Sequence, residues 1–328
     1  MRTYKTIIFI LLSSILLCTA CTKEDLDDCL YSYKLSFQHL SPLEGEDILS
    51  DHIGHIHLFF YNKEMELVKK YDALVTDLSQ EGDTYSLIVK LPAGDYGVVA
   101  WGGKGEDHSH IIEQEKHFSY QYSNTEDAKT ARLNLLHNEQ YEVEEIPTPF
   151  FHSIDREITV SNAINQNNSQ QLNFHWGTNT VKVDVELINQ STQTRKPNEL
   201  TTLNTYITAE NGEYSFDGKA FGTDTIKYIP KSQIVNTLSQ NDFRVMTLYK
   251  DDKSMLIIER KTEENNTEVI YKKSLSSIIL ENPALSFETH NDFDITVQLP
   301  LLEDEVIDNE IVIIVNGWEI INSNEGIS

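Results

Sequence analysis

Along most of this chain apolar and polar residues alternate with a period of two, in short runs broken by turn residues. In "HIHLFFYNKEMELVKKY" (55–71), His55, His57 and Phe59 fall on one face of an extended strand and Ile56, Leu58 and Phe60 on the other. The "NKEM" between the two runs reads as a turn. "DTYSLIVKLPAGDYGVVAWGG" (83–103) gives a strand, the turn "PAGD" and a second strand. "HFSYQY", "ARLNLLH", "REITVS", "QQLNFHW", "NTVKVDVELI", "LNTYITAENGEYSF", "DFRVMTLY", "SMLIIER", "EVIYKKSL", "FDITVQL" and "EIVIIVNGWEII" continue the series. Many short strands separated by turn signals predict an all-β chain built of β-sandwiches. Helical pattern is scarce; "LSSIILENPAL" (275–285) has room for a turn or two. A polar stretch without apolar period, "SNAINQNNSQQ", divides the series near residue 170. The reading therefore places an N-terminal sandwich at 29–170 and a C-terminal sandwich at 171–328, with no convincing repeat between them.

The first twenty residues break the alternation. Arg2 and Lys5 precede "TIIFILLSSILL", which is too short to span a bilayer at about 20 residues. Its length suits the apolar region of a secretory signal. Thr19 and Ala20 then lead to Cys21, the ending of a lipoprotein signal, in which the peptidase cuts before the cysteine and acyl chains are added to it. This assigns 1–20 to the signal peptide and Cys21 to lipidation; the alternative is an ordinary signal cut after Ala20. Two or more acyl chains hold a protein stably on a bilayer. Residues 21–28 read as an acidic tether, "CTKEDLDD". Lys23, Glu24 and Asp25 directly after the lipidated cysteine resemble the signal that sends Bacteroidota lipoproteins to the outer face of the outer membrane. Cys18 leaves with the leader, so Cys29 has no partner within the chain, and the body is expected to fold without an internal disulfide.

Charge narrows the function classes. The formal net charge is −26, and removal of Arg2 and Lys5 with the leader leaves 24 basic against 52 acidic residues, a net −28. Such a chain repels phosphate backbones, so a nucleic-acid partner is not expected. About 300 residues suffice for two domains of ordinary size.

Four stretches, "LFFYNKEMELVKKY", "LPAGDYGVVAWGG", "FHWGTNTVKVDVEL" and the terminal "IVIIVNGWEII", together with the lipoprotein ending and "DDC", resemble the FimB/Mfa2 family of Bacteroidota fimbrial anchor lipoproteins. The similarity runs over nearly the whole mature chain. The resemblance implies two tandem transthyretin-like (Greek-key) β-sandwich domains at the base of a type V pilus. It implies that the protein holds the fimbria on the outer membrane, limits its growth, and meets a fimbrial stalk subunit (pilin) by β-strand exchange. An added strand satisfies a row of backbone hydrogen bonds at a sheet edge while alternate side chains fill pockets. The unbroken run Ile311, Val312, Ile313, Ile314, Val315 is the candidate donor strand, or else the last core strand of its own domain. Stalk subunits of the family mature by an Arg- or Lys-directed cut, for which Lys34 and Lys63 are the positions to weigh.

Other chemistry has thin support. His52, His55 and His57, and His108 and His110, invite a metal reading, but no further ligands stand at matching spacing; a solvated sheet face and loop account for them. "WGGKGED" lacks phosphate-loop spacing, and neither H-E-x-x-H nor G-x-S-x-G occurs. Acidic pairs such as Glu144–Glu145 arise readily in so acidic a chain. No enzyme activity and no cofactor other than the covalent lipid on Cys21 are expected. Trp101, Trp176 and Trp318 are expected at strand ends, packed with their N–H groups bonded. "DTI" (224–226) fits a short Bacteroidota O-glycosylation pattern. The alternatives to the anchor are a surface glycan-binding lipoprotein partnered with a transporter, which would expose aromatics in a line, and a pilus stalk or tip subunit.

Overall fold

The computed structural model describes residues 30–41, 45–82, 84–104, 120–153, 157–161, 168–189, 194–195, 197–262, 266–300 and 311–322. In the first half the strands are β1 (Tyr31–Gln38), β2 (His55–Tyr61), β3 (Leu67–Leu74), β4 (Ser79–Glu81), β5 (Thr84–Leu91), β6 (Gly94–Gly103), β7 (Tyr120–Ser123), β8 (Arg132–Leu135), β9 (Glu142–Val143), β10 (Phe150–Ser153), β11 (Ile158–Val160), β12 (Ser169–Asn173) and β13 (His175–Trp176). The second half has β14 (Thr178–Asn189), β15 (Thr194–Arg195), β16 (Leu203–Ala209), β17 (Glu213–Ser215), β18 (Ala220–Phe221), β19 (Ile226–Tyr228), β20 (Lys231–Val235), β21 (Leu238–Met246), β22 (Met255–Lys261), β23 (Thr267–Ser274), β24 (Asp292–Pro300), β25 (Ile311–Val315) and β26 (Trp318–Asn322). Helix is confined to α1 (Leu49–His52), α2 (Leu275–Leu280) and two 3-10 turns among the described residues.

Alternation sets the faces. In β1, Tyr33, Leu35 and Phe37 point inward while Lys34 and Ser36 point out. In β14, Val181, Val183, Val185 and Leu187 are buried on one face, opposite Lys182, Asp184 and Glu186. The first sheet has the order β12-β1-β5-β4, with β12 parallel to β1. The second has the order β13-β10-β6-β2-β3, with β11 also on β6. The corner "PAGD" carries the chain from β5 in the first sheet to β6 in the second. These two sheets close a core of Tyr33, Leu35, Phe37, Ile56, Leu58, Phe60, Val98, Phe151 and their neighbours, reaching as far as Phe174. Residues 170 and 171 both lie within β12.

The third sheet runs β20-β21-β14-β24-β25-β26, with β15 on β14; the fourth runs β23-β22-β16-β19-β9. Between them lies the second core, covered at one end by Leu275, Ile278 and Ile279 of α2. Ser274 caps α2 by accepting from Ser277 N–H. A small fifth sheet, β18-β17-β8-β7, draws strands from both halves of the chain.

The second sheet is apolar on both faces. Phe59, Tyr61, Val99, Trp101 and Phe150 turn away from the first core and join the second, meeting Tyr214 and Phe216 from the other half of the chain. Trp101 lies 4.6 Å from Phe216 and is stacked on Tyr122 at 5.0 Å, and Phe150 meets Tyr214 edge-on at 5.2 Å between ring centres. The two cores thus share a wall, which tandem sandwiches joined by a loose linker would not.

Candidate attachment and partner-binding sites

The candidate lipidation site Cys21 and the candidate export residues Lys23, Glu24 and Asp25 lie outside the described residues, as do Cys29, His108 and His110. What the structure places is the point where a tether would enter the fold. β1 begins at Tyr31 and is an inner strand, held by β12 on one side and β5 on the other. A pull from the N-terminus therefore shears two hydrogen-bonded ladders at once. The ten residues from Cys21 to Tyr31 reach at most about 35 Å when extended. Lys34 sits in the middle of β1, its N–H donating to Asn168 O at 2.8 Å and its ammonium 3.1 Å from Glu81. Lys63 is in the exposed β2–β3 turn, 2.8 Å from Asp95.

The run Ile311–Val315 is an inner strand of the chain's own third sheet. It pairs with β24 from Ile295↔Val315 to Gln298↔Val312 and with β26 on its other side. Ile313 and Val315 are buried in the second core, while Val312 and Ile314 are half-buried on the outer face. "VNGW" makes the turn: Asn316 and Gly317 both have positive φ, +46° and +79°, as a two-residue primed hairpin turn requires. The turn is tied down. Asn316 N–H donates to Asp294 O at 2.8 Å, Asp294 N–H donates to Asn316 Oδ1 at 2.8 Å, and Asn282 Nδ2 donates to Val315 O at 3.0 Å. β26 is the outermost described strand and carries Trp318, 52% exposed. At the opposite edge β20 is exposed throughout, including Ile234 and Val235.

The histidines correct one expectation. His55 and His57 do share a face, with ring centres 4.9 Å apart, but that face is not solvated. His57 is buried, its Nδ1 2.5 Å from Asp72 Oδ1. His52 lies elsewhere, against His39 and Trp176. Among the described residues no group of three or more His, Cys, Asp or Glu side chains is arranged to hold a metal ion. The sequence reading missed His152, which stands in the row Asp72–His57–Trp101–His152–His175 across the second sheet. Only strand register brings these together, and no local spacing signals it. Burial, with a smaller push from His175, lowers His152 to about 3. Burial and the neighbouring His57 lower His55 to about 3 against the opposing pull of Asp72.

Trp101 is a second correction. It is buried within β6, and its indole nitrogen has no hydrogen-bond partner; its aromatic contacts hold it in place. Glu144 and Glu145 are exposed, and Glu144 accepts from Asn138 at 3.1 Å. Exposed Tyr141, Tyr249 and Trp318 stand before β9, after β21 and on β26, three separate elements of the fold. No described helix is long and apolar enough to cross a membrane.

The fold resembles the fimbrial anchor protein Mfa2 from Porphyromonas gingivalis, with a TM-score of 0.66 at 18% identity over 90% of this chain and 100% of that one. It also resembles a candidate polysaccharide-binding protein from Bacteroides thetaiotaomicron, with a TM-score of 0.69 at 16% identity over 90% of this chain and 99% of that one. A candidate adhesin from Bacteroides ovatus gives a TM-score of 0.68 at 14% identity over 94% of this chain and 98% of that one. At such identities the likeness is one of fold. No curated protein sequence matches the chain. The profile of the fimbrillin-A associated anchor proteins Mfa1 and Mfa2, however, matches residues 26–324, most of the chain, and the chain belongs to that family.

Proposed function

We propose that this protein is the membrane-held base of a fimbria. Lipid on Cys21 fixes it in the outer membrane, Lys23, Glu24 and Asp25 route it to the cell surface, and the two sandwiches form the mount on which the first stalk subunit sits. The observation that carries this reading is the match to the anchor family over residues 26–324. Two features of the fold fit it. The strand next to the tether is an inner strand, so load enters through paired ladders rather than a frayed edge. The terminal hairpin β25–β26 offers an apolar strand and, among the described residues, an outer edge of the kind that strand exchange uses. With β1 occupying its own place in the first sheet, no groove is left there for a further subunit, which would stop growth at this protein. Mass spectrometry of the mature N-terminus tests the attachment directly. Acyl chains on Cys21, with loss of membrane retention in Cys21→Ala, are expected; an unmodified Cys21 on a retained protein would overturn it.

A further inference from the structure

Register aligns Asp72 (β3), His57 (β2), Trp101 (β6), His152 (β10) and His175 (β13) in one line. Residues directly opposite in antiparallel strands share a face. Trp101 belongs to the second core, so the line faces the fifth sheet. From that sheet, β17 brings the Tyr214 hydroxyl to 3.0 and 3.1 Å from the two ring nitrogens of His152, and β7 lays Tyr122 5.5 Å from the His57 ring. Tyr214 donates to Gly218 O at 3.1 Å, which leaves its oxygen to accept from an imidazole N–H.

We propose that the His152–Tyr214 contact in this row is an acid-released clasp: a neutral His152 lets the fifth sheet close on the second, and its protonation opens them. Among the described residues, the titratable groups facing His152 are Tyr214 from β17 and His175 from β13, neither of which supplies a negative charge near neutral pH. Charging a ring buried to 8% exposure without a counter-ion is costly. His55, one rung away, faces His57 on its own strand and Asp72 on β3. Asp72 is already engaged by His57.

The sign follows from the direction of the shift. The closed state holds His152 at about 3, whereas a hydrated ring titrates near 6.5. Closure is therefore fully favoured above about 6.5. As pH falls from there towards 3, the open state gains about tenfold per pH unit from His152 alone.

Native-state hydrogen exchange on the full mature chain tests this, with rates corrected for their intrinsic pH dependence. Between pH 6.5 and 4.5 the amides of the β8–β17 ladder are expected to lose protection about 50-fold through His152, while those of the β14–β24 ladder hold theirs. His152→Gln should remove that share of the loss, and the exposed His137→Gln should leave it intact. Independently of any variant, the His152 ring resonances should stay neutral down to about pH 4. A ring titrating near 6.5, a ladder whose protection ignores pH, or a loss as large in His152→Gln as in the wild type would overturn the proposal.

Discussion

The ring of Phe150 lies where a side chain on Gly177 would have to go. A β-carbon placed there would fall well inside van der Waals contact with the ring. The same glycine donates its N–H to Phe150 O at 2.7 Å and accepts from Thr247 N–H at 3.1 Å, so it bonds the second sheet on one side and the third on the other. The chain passes from one sandwich to the other through this residue, between β13 and β14.

Gly177→Ala should therefore destabilise the whole protein. Overpacking of this kind costs typically about 1–3 kcal/mol, and the ring cannot withdraw because it is packed against Trp101 and Tyr214. Chemical denaturation of the variant should show a lower midpoint with an unchanged slope. An unshifted midpoint would mean that the crossing is looser than its geometry indicates.

The shared wall predicts cooperativity. Phe59, Trp101 and Phe150 belong to a sheet that also covers the first core, so neither sandwich can lose its packing without exposing aromatic surface of the other. Calorimetry at neutral pH should give one transition. Two resolved transitions would show that the halves fold independently.

Two tryptophans should behave oppositely. Trp101 is 1% exposed and packed between Phe59, Tyr122, Phe150 and Phe216. Trp101→Ala should cost about 3–5 kcal/mol. Trp318, half-exposed on the edge strand, should cost under about 1 kcal/mol when replaced by Ala. If Trp318→Ala instead weakens capture of the stalk subunit at unchanged stability, the hairpin edge is the contact surface.

The "NG" turn should be sensitive at Gly317, whose φ of +79° suits glycine. Gly317→Val should lower stability by about 1–3 kcal/mol and speed proteolysis of the terminal hairpin. Equal protease resistance in both proteins would mean that the hairpin is held from elsewhere.

Much of the fold was legible in the alternation. β2, β3, β5, β6, β14 and β24 fall where the period-two runs stand, β25 where the unbroken apolar run stands, and α2 occupies the one short helical patch. Partners were not legible, because period two fixes which face a residue takes but not which strand it meets. Nothing local says that β12 returns parallel to β1, that β5 and β6 belong to different sheets, or that β8 and β17 pair across 80 residues of chain. The same limit hid His152, an ordinary residue in "FFHS" until register sets it beside Trp101 and under Tyr214. It also made the His55–His57 face look solvated, since the sheet that covers it comes from distant strands.

The central claim is that this chain holds a fimbria to the membrane. The most direct test is to capture the protein from its native cells, wild type beside Cys21→Ala, and identify what comes with it. A ladder of stalk subunits with the wild type, and fimbriae shed into the medium with the variant, is the predicted result. Capture of a transporter or glycan-handling machinery without any stalk subunit would contradict it.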